Sequence, residues 1–152
     1  MHGYSIVGYD DSDPDWKEAF LHPRQAQGIV VQFAETHAAA PSPPPSGVGG
    51  GRPASPREPV PPITVHGLRL SARSREGAQT QWGAVVQGQL SDGSDGVLVF
   101  HWPGSFMYVA VEIDAAREEG PLWIEYASRR AVPLTDAPHP VLGAVFKRRP
   151  AD

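Results

Sequence analysis

Glu112 is the carboxylate whose setting in the sequence points most directly to chemistry. It lies on a predicted strand, Phe106–Ile113, in which apolar and other side chains alternate. One face of this strand carries Met107, Val109, Val111 and Ile113, and the other carries Phe106, Tyr108, Ala110 and Glu112. If the apolar face packs under a helix, Glu112 faces a pocket, where it can serve as a base or a metal ligand. The competing interpretation is a solvated or hydrogen-bonded sheet carboxylate.

A second acid, Glu125, shares a strand face with Trp123 on the predicted strand Leu122–Tyr126. The residues or motifs that several other kinds of active site require are absent from the sequence. The chain has no cysteine, which excludes thiolate metal sites, disulfides and cysteine nucleophiles. No nucleophile-elbow pattern supports Ser-His-Asp catalysis. The glycine-rich stretch 47–51 lacks the Lys-Ser/Thr of a phosphate-binding loop.

The bulk composition is that of an ordinary globular protein. Of the 152 residues, 40% are hydrophobic and 20% charged, and the formal net charge is -4. This acidic balance offers no basic field for nucleic acid. No apolar run approaches the roughly 20 residues that span a bilayer, and no secretory signal is visible. We therefore expect a cytoplasmic protein without a nucleic-acid or membrane partner.

Proline divides the chain into three parts. Nine of the 17 prolines fall between Pro41 and Pro62, together with several glycines. Such a stretch buries too little apolar area to offset the entropy of ordering. We predict a disordered linker over 37–62; the alternative is a proline-rich ligand for a partner domain. An N-terminal segment, 1–36, and a larger segment, 63–149, remain.

The larger segment is predicted to contain a strand, a helix and three further strands between 63 and 113. Ile63–Ser71 is the first strand. A helix follows from Ser74, the expected N-cap, to about Val86, although Gly77 and Gly83 lower its propensity. One or two strands are appended after 113. In the N-terminal segment, Lys17–Leu21 and Ile29–Phe33 are predicted to form a hairpin.

Two stretches of the chain resemble the vicinal-oxygen-chelate superfamily. Phe20-Leu-His-Pro23 and Gly28-Ile-Val-Val-Gln32 are similar to the closing hairpin of its methylmalonyl-CoA-epimerase-like members. Ile63-Thr-Val-His-Gly-Leu-Arg-Leu-Ser-Ala-Arg73 resembles its first strand. Gly96–Asp114 resembles its third and fourth strands. The resemblance implies an α+β fold: a βαβββ module of the glyoxalase/bleomycin-resistance type with an N-terminal β-hairpin and a mostly antiparallel mixed sheet.

The resemblance also implies how the parts assemble. Residues 1–36 correspond to the C-terminal hairpin of one module, and 63–149 to a second module with appended strands. A complete domain of this family needs two modules. Unpaired sheet edges would favour a homodimer or pairing with another such module.

The family's metal chemistry suggests three ligands in this chain. His66 matches the histidine of the first strand, Gln32 stands where the closing strand often has glutamate, and Glu112 lies near the end of the fourth strand. With these residues the protein would be a metal-dependent lyase, isomerase or dioxygenase acting on a small oxygenated metabolite, with Glu112 catalytic. The alternatives are a metal-free protein that sequesters a small molecule, as bleomycin-resistance proteins do, and a degenerate non-catalytic fragment.

Overall fold

The computed structural model describes residues 3–36, 63–93 and 96–149. The predicted linker over 37–62 lies outside the described residues. Among the described residues, no helix is both long and apolar enough to cross a lipid bilayer.

The N-terminal segment forms a three-stranded antiparallel sheet. Its strands are β1 (Ile6–Asp13), β2 (Trp16–Leu21) and β3 (Val31–Thr36), in the order β1-β2-β3. The pairing of β2 with β3 is regular from Trp16↔Thr36 to Leu21↔Val31, whereas β1 pairs with two irregularities. Except at Leu21, which is buried, this sheet is exposed or half-buried.

A second sheet contains six strands in the order β5-β6-β7-β4-β8-β9. These strands are β4 (Ile63–Ala72), β5 (Gln89–Asp92), β6 (Val97–His101), β7 (Tyr108–Ile113), β8 (Gly120–Ser128) and β9 (Phe146–Arg148). The β4–β7 and β8–β9 pairs are parallel, and the other pairs are antiparallel. The central strand β4 therefore has a parallel neighbour on one side and an antiparallel neighbour on the other.

A short helical segment connects β4 to β5. It consists of one α-helical turn, α1 (Arg75–Ala78), followed by a π-helical stretch, Gln79–Val85. Ser74 caps its start, because the Ser74 hydroxyl accepts a hydrogen bond from the Gly77 N–H at 3.0 Å. The predicted helix thus begins where expected. Its second part is π-helical and contains Thr80 and Gly83, which stabilise an α-helix poorly.

The core lies between this helical segment and one face of the six-stranded sheet. Its fully buried members are large apolar side chains of the central strands: Leu70, Leu98, Phe100 and Val111. Ala78 and Trp82 complete the core from the helical side. Each fully buried side chain of this size contributes about 1.5–3 kcal/mol through removal from water.

The turn between β2 and β3 attaches the three-stranded sheet to this core. The Trp82 indole N–H donates to the Gln27 side-chain oxygen at 2.9 Å, and both residues are buried. Gly28 has φ +79 and lies so close to the Glu119 carbonyl oxygen that a Cβ there would be 2.6 Å away. Ile29 packs against the core cluster. Only glycine meets both requirements at position 28.

We predict that Trp82→Phe lowers the free energy of unfolding by about 1–3 kcal/mol, because it leaves the buried Gln27 amide without its donor. Urea unfolding followed by circular dichroism measures this change. Trp16→Phe is the matched control: its indole N–H bonds to exposed Glu18, so we expect a change within about 0.5 kcal/mol. Equal losses in both variants would contradict the proposed role of the Trp82–Gln27 hydrogen bond.

The predicted α+β class is wrong. Strands make up 47% of the described residues. These residues contain one short helix, a six-stranded mixed sheet and a three-stranded antiparallel sheet. Three local features account for the difference. Strand β1 precedes the predicted hairpin and adds a third strand to it, the α-helix proper ends at Ala78, and β8 and β9 extend the sheet beyond β4. The division into segments 1–36 and 63–149 stays a prediction.

Candidate ligand-binding face

Polar and aromatic side chains gather on the face of the six-stranded sheet that points away from the core. Strand alternation places them there, since their neighbours Leu70 and Val111 point into the core. We call this surface the open face and define it by Arg69, Tyr108, Glu112, Trp123, Glu125 and Lys147. Pairing sets their neighbourhood: Arg69 lies opposite Trp123, Gly67 opposite both Tyr108 and Glu125, and Glu125 opposite Lys147.

Two aromatic side chains hold the carboxylate of Glu125. The Tyr108 hydroxyl donates to one of its oxygens, and the Trp123 indole N–H donates to the other at 3.0 Å. The Tyr108 ring lies over Gly67, where a Cβ would come within 2.7 Å of the ring. The absence of a side chain at Gly67 therefore makes room for this hydrogen-bonded cluster.

The cluster extends the pH range over which Tyr108 stays protonated. Burial raises the pKa of Tyr108 to about 12, and the hydrogen bond to Glu125 and the charge of that carboxylate act in the same direction. The hydroxyl of Tyr108 therefore keeps donating to Glu125 above the pH at which an ordinary tyrosine ionises.

We predict that ultraviolet titration shows one tyrosine ionising near pH 12, and that this step disappears in Tyr108→Phe. The raised pKa favours the neutral phenol in the folded protein, so its stabilising effect is complete below pH 10. That contribution is lost as the pH rises from 10 to about 12, because the unfolded chain ionises first. Persistence of the step in Tyr108→Phe would assign it to another tyrosine.

Arginine residues bind the second carboxylate of the open face. Arg69 Nε and Arg117 Nη1 donate to the two oxygens of Glu112, each at 3.0 Å. The Nε atom of Arg117 also lies 3.7 Å from Oδ2 of Asp114. The side chains of Arg69 and Glu112 are only about a quarter exposed, at 24% and 27%, so water screens their attraction less than at the surface.

Cations flank the Trp123 ring. Lys147 Nζ lies 3.5 Å from the ring centroid, and the guanidinium carbon of Arg69 lies 5.3 Å from it. A third cation, Arg149, lies 5.9 Å from the Tyr108 ring. Such contacts are attractive because the face of an aromatic ring carries negative partial charge.

A groove of about 380 Å³ opens beside this cluster. It is lined by Arg69, Gly96, Val97, Glu112, Ile113 and Asp114. Ser71, opposite Glu112 in the β4–β7 pairing, is fully buried, and its hydroxyl oxygen has no hydrogen-bond partner among residues 3–36, 63–93 and 96–149. The groove thus lies at the end of the open face where Arg69 binds Glu112.

The three predicted metal ligands do not come together. Gln32 lies on β3 in the other sheet, where its amide donates to Glu18 at 2.7 Å. His66 is half-buried on β4, and its ring packs edge-on against Phe106 at 5.8 Å. Glu112 pairs with Ser71, five positions beyond His66 on β4, which is roughly 16 Å along the strand.

These positions do not fit a divalent metal. Both oxygens of Glu112 accept from arginines, and Gln32 lies in the other sheet, where its amide nitrogen donates to Glu18. Within the described part of the chain, no group of three or more His, Cys, Asp or Glu side chains has a metal-binding arrangement. A metal bound by His66, Gln32 and Glu112 stays a prediction, and we derive no chemical step through it.

The sequence indicated part of the open face. Alternation in β7 identified Glu112 and Tyr108 as sharing one face, and Trp123 and Glu125 were recognised as sharing another. The sequence pattern does not point to Arg69, Lys147 or Arg149 as members of a site. The local signal for Arg69 is its place in an alternating strand, opposite the apolar Leu68 and Leu70.

Comparisons with known proteins establish no family. No family model matches the chain, and no curated protein matches it. Among solved structures, it is similar to the crystal structure of a hypothetical protein from Staphylococcus aureus, with a TM-score of 0.57 and 10% sequence identity. The match covers 97% of this chain and 57% of that one. At this identity the similarity concerns the fold alone.

Proposed function

We propose that this protein binds a small oxygenated metabolite on the open face of its six-stranded sheet. One observation carries the proposal: the hydrogen-bonded cluster of Tyr108, Trp123 and Glu125, with cations against the Trp123 ring. A ligand site needs an aromatic surface and a few fixed polar groups, and this cluster supplies both. The ammonium of the nearby Lys147 can donate to ligand oxygens. The Tyr108 oxygen, whose proton is donated to Glu125, can accept a hydrogen bond from a ligand hydroxyl.

The resemblance to glyoxalase and bleomycin-resistance proteins agrees with such a role. Proteins of this superfamily act on, or sequester, small oxygenated molecules. We favour binding without a metal, because the three suggested metal ligands are separated and both oxygens of Glu112 accept from arginines. Pairing with a second copy of the chain stays a prediction that light scattering in solution tests.

Calorimetric titration of the wild type with a panel of organic acids, hydroxyketones and neutral diols tests the proposal. Trp123→Ala should weaken the binding of any ligand found by about tenfold or more, since stacking and the bond to Glu125 are both lost. Trp16→Ala is the matched control, because Trp16 also donates its indole N–H to a glutamate two residues along, at 3.1 Å.

We expect binding to the control to equal that of the wild type. Circular dichroism verifies that Trp123→Ala remains folded. If none of the panel binds to the folded wild type, or if Trp123→Ala binds as tightly as Trp16→Ala, the open face is not the ligand site.

A further inference from the structure

We propose that the ligand of the open face is a short dicarboxylic acid, with one carboxylate at Arg69 and the other at Lys147 and Arg149. This inference rests on the proposed function and specifies the chemical class of the ligand. It follows from the contacts of the charged side chains: the two carboxylates already accept hydrogen bonds, whereas Lys147, Arg149 and the terminal nitrogens of Arg69 still have donors to give.

The acidic groups of the open face have their bonding capacity taken up. Glu112 accepts from two arginines, and Glu125 accepts from Tyr108 and Trp123. Their negative charges are therefore held by fixed donors, and these donors reduce the repulsion that an incoming carboxylate meets.

The basic groups are not matched in the same way. Among the described residues, neither Lys147 nor Arg149 has a carboxylate within ion-pair distance; their contacts are with the rings of Trp123 and Tyr108. A cation held against an aromatic ring keeps its full charge and its outward hydrogen-bond donors. Lys147 and Arg149 thus form one cationic end of the face.

Arg69 supplies the hydrogen-bond donors of the other end, although its charge is paired with that of Glu112. Among the described contacts its guanidinium gives only Nε to Glu112. The two terminal nitrogens remain as a pair of donors, the geometry in which arginine binds a carboxylate through two parallel bonds. The side chain is only 24% exposed, which strengthens a charge-assisted bond relative to one in bulk water.

The Trp123 indole sets the distance between the two ends. Arg69 and Lys147 lie 5.3 Å and 3.5 Å from the same ring centroid, so one small molecule can reach both. A monocarboxylate can satisfy one end at a time. A short dicarboxylate can satisfy both, and the second contact is then intramolecular.

Calorimetric titration of the full chain with succinate, glutarate, butyrate and butane-2,3-diol tests this inference. We expect the two dicarboxylates to bind at least about tenfold more tightly than butyrate. Lys147→Met should abolish this preference, because a dicarboxylate then binds mainly through Arg69, as butyrate can. Lys17→Met is the matched control, because Lys17 lies on the three-stranded sheet near Glu35, and it should keep the preference.

The outcomes separate the ligand class from the proposed function. If butyrate or the diol binds as tightly as succinate and Trp123→Ala abolishes that binding, the dicarboxylate inference is overturned but the open face remains a ligand site. A preference for dicarboxylates that survives in Lys147→Met also overturns the inference. If none of the four compounds binds, the inference is wrong, and the wider panel then decides the proposed function.

Discussion

Phe100→Ala is expected to lower the free energy of unfolding by about 3–5 kcal/mol, the largest effect of any single change considered. Among the described residues, Phe100 is the largest completely buried side chain, and it is the fourth of the five residues of β6. Gly83 of the helical segment lies against its ring, and Gly88 lies beside its Cβ. Because the sheet and the helical segment meet at this ring, its removal leaves a cavity that neither side can easily fill.

Urea unfolding followed by circular dichroism measures the loss. Phe106→Ala is the control, because Phe106 is 65% exposed and should cost less than about 1 kcal/mol. Similar losses at the two positions would show that the core is not centred between the helical segment and this face of the sheet.

Gly67→Ala is expected to abolish ligand binding at the open face and to lower stability by about 1–3 kcal/mol. The new Cβ would lie 2.7 Å from the Tyr108 ring, closer than van der Waals contact allows. Tyr108 must then leave its position, and Glu125 loses one of its two donors. The titration step near pH 12 should move toward the ordinary tyrosine range, because the burial and the hydrogen bond that raise it are both lost.

Gly83→Ala is the matched glycine control. Its added Cβ would meet the Phe100 ring at 3.8 Å, which is ordinary contact, and it lies on the opposite side of the sheet. The double variant Gly67→Ala/Tyr108→Ala removes the clash, so stability should partly recover while binding stays lost. Full ligand binding by Gly67→Ala would contradict the role of the Tyr108 cluster.

The sequence predicted those parts of the molecule that depend on near neighbours. The cap at Ser74 is visible because a serine precedes a run of helix-compatible residues, and the two faces of β7 follow from strict alternation. The fold class depends on more distant pairing. Whether β8 and β9 join the sheet beyond β4 is decided by contacts between residues far apart in the chain, and no local pattern records them.

The candidate site shows the same division. Glu112 could be placed on a polar face, but its partners could not be predicted, because Arg69 reaches it only through the parallel pairing of β4 with β7. Lys147 meets Trp123 through the parallel pairing of β8 with β9. The proposed metal ligands were chosen by resemblance to a family pattern. In this structure Gln32 lies in one sheet, and His66 and Glu112 lie far apart in the other.

Nitrogen-edited nuclear magnetic resonance of the four tryptophan indole N–H groups tests the open face most directly. Each has a different partner: Glu18 for Trp16, Gln27 for Trp82, the Val86 carbonyl for Trp102 and Glu125 for Trp123. During titration with succinate or another ligand from the panel, the Trp123 signal should shift the most, while those of Trp82 and Trp16 stay in place. A ligand that moves the Trp16 or Trp82 signal and leaves Trp123 unchanged would show that the open face is not the site.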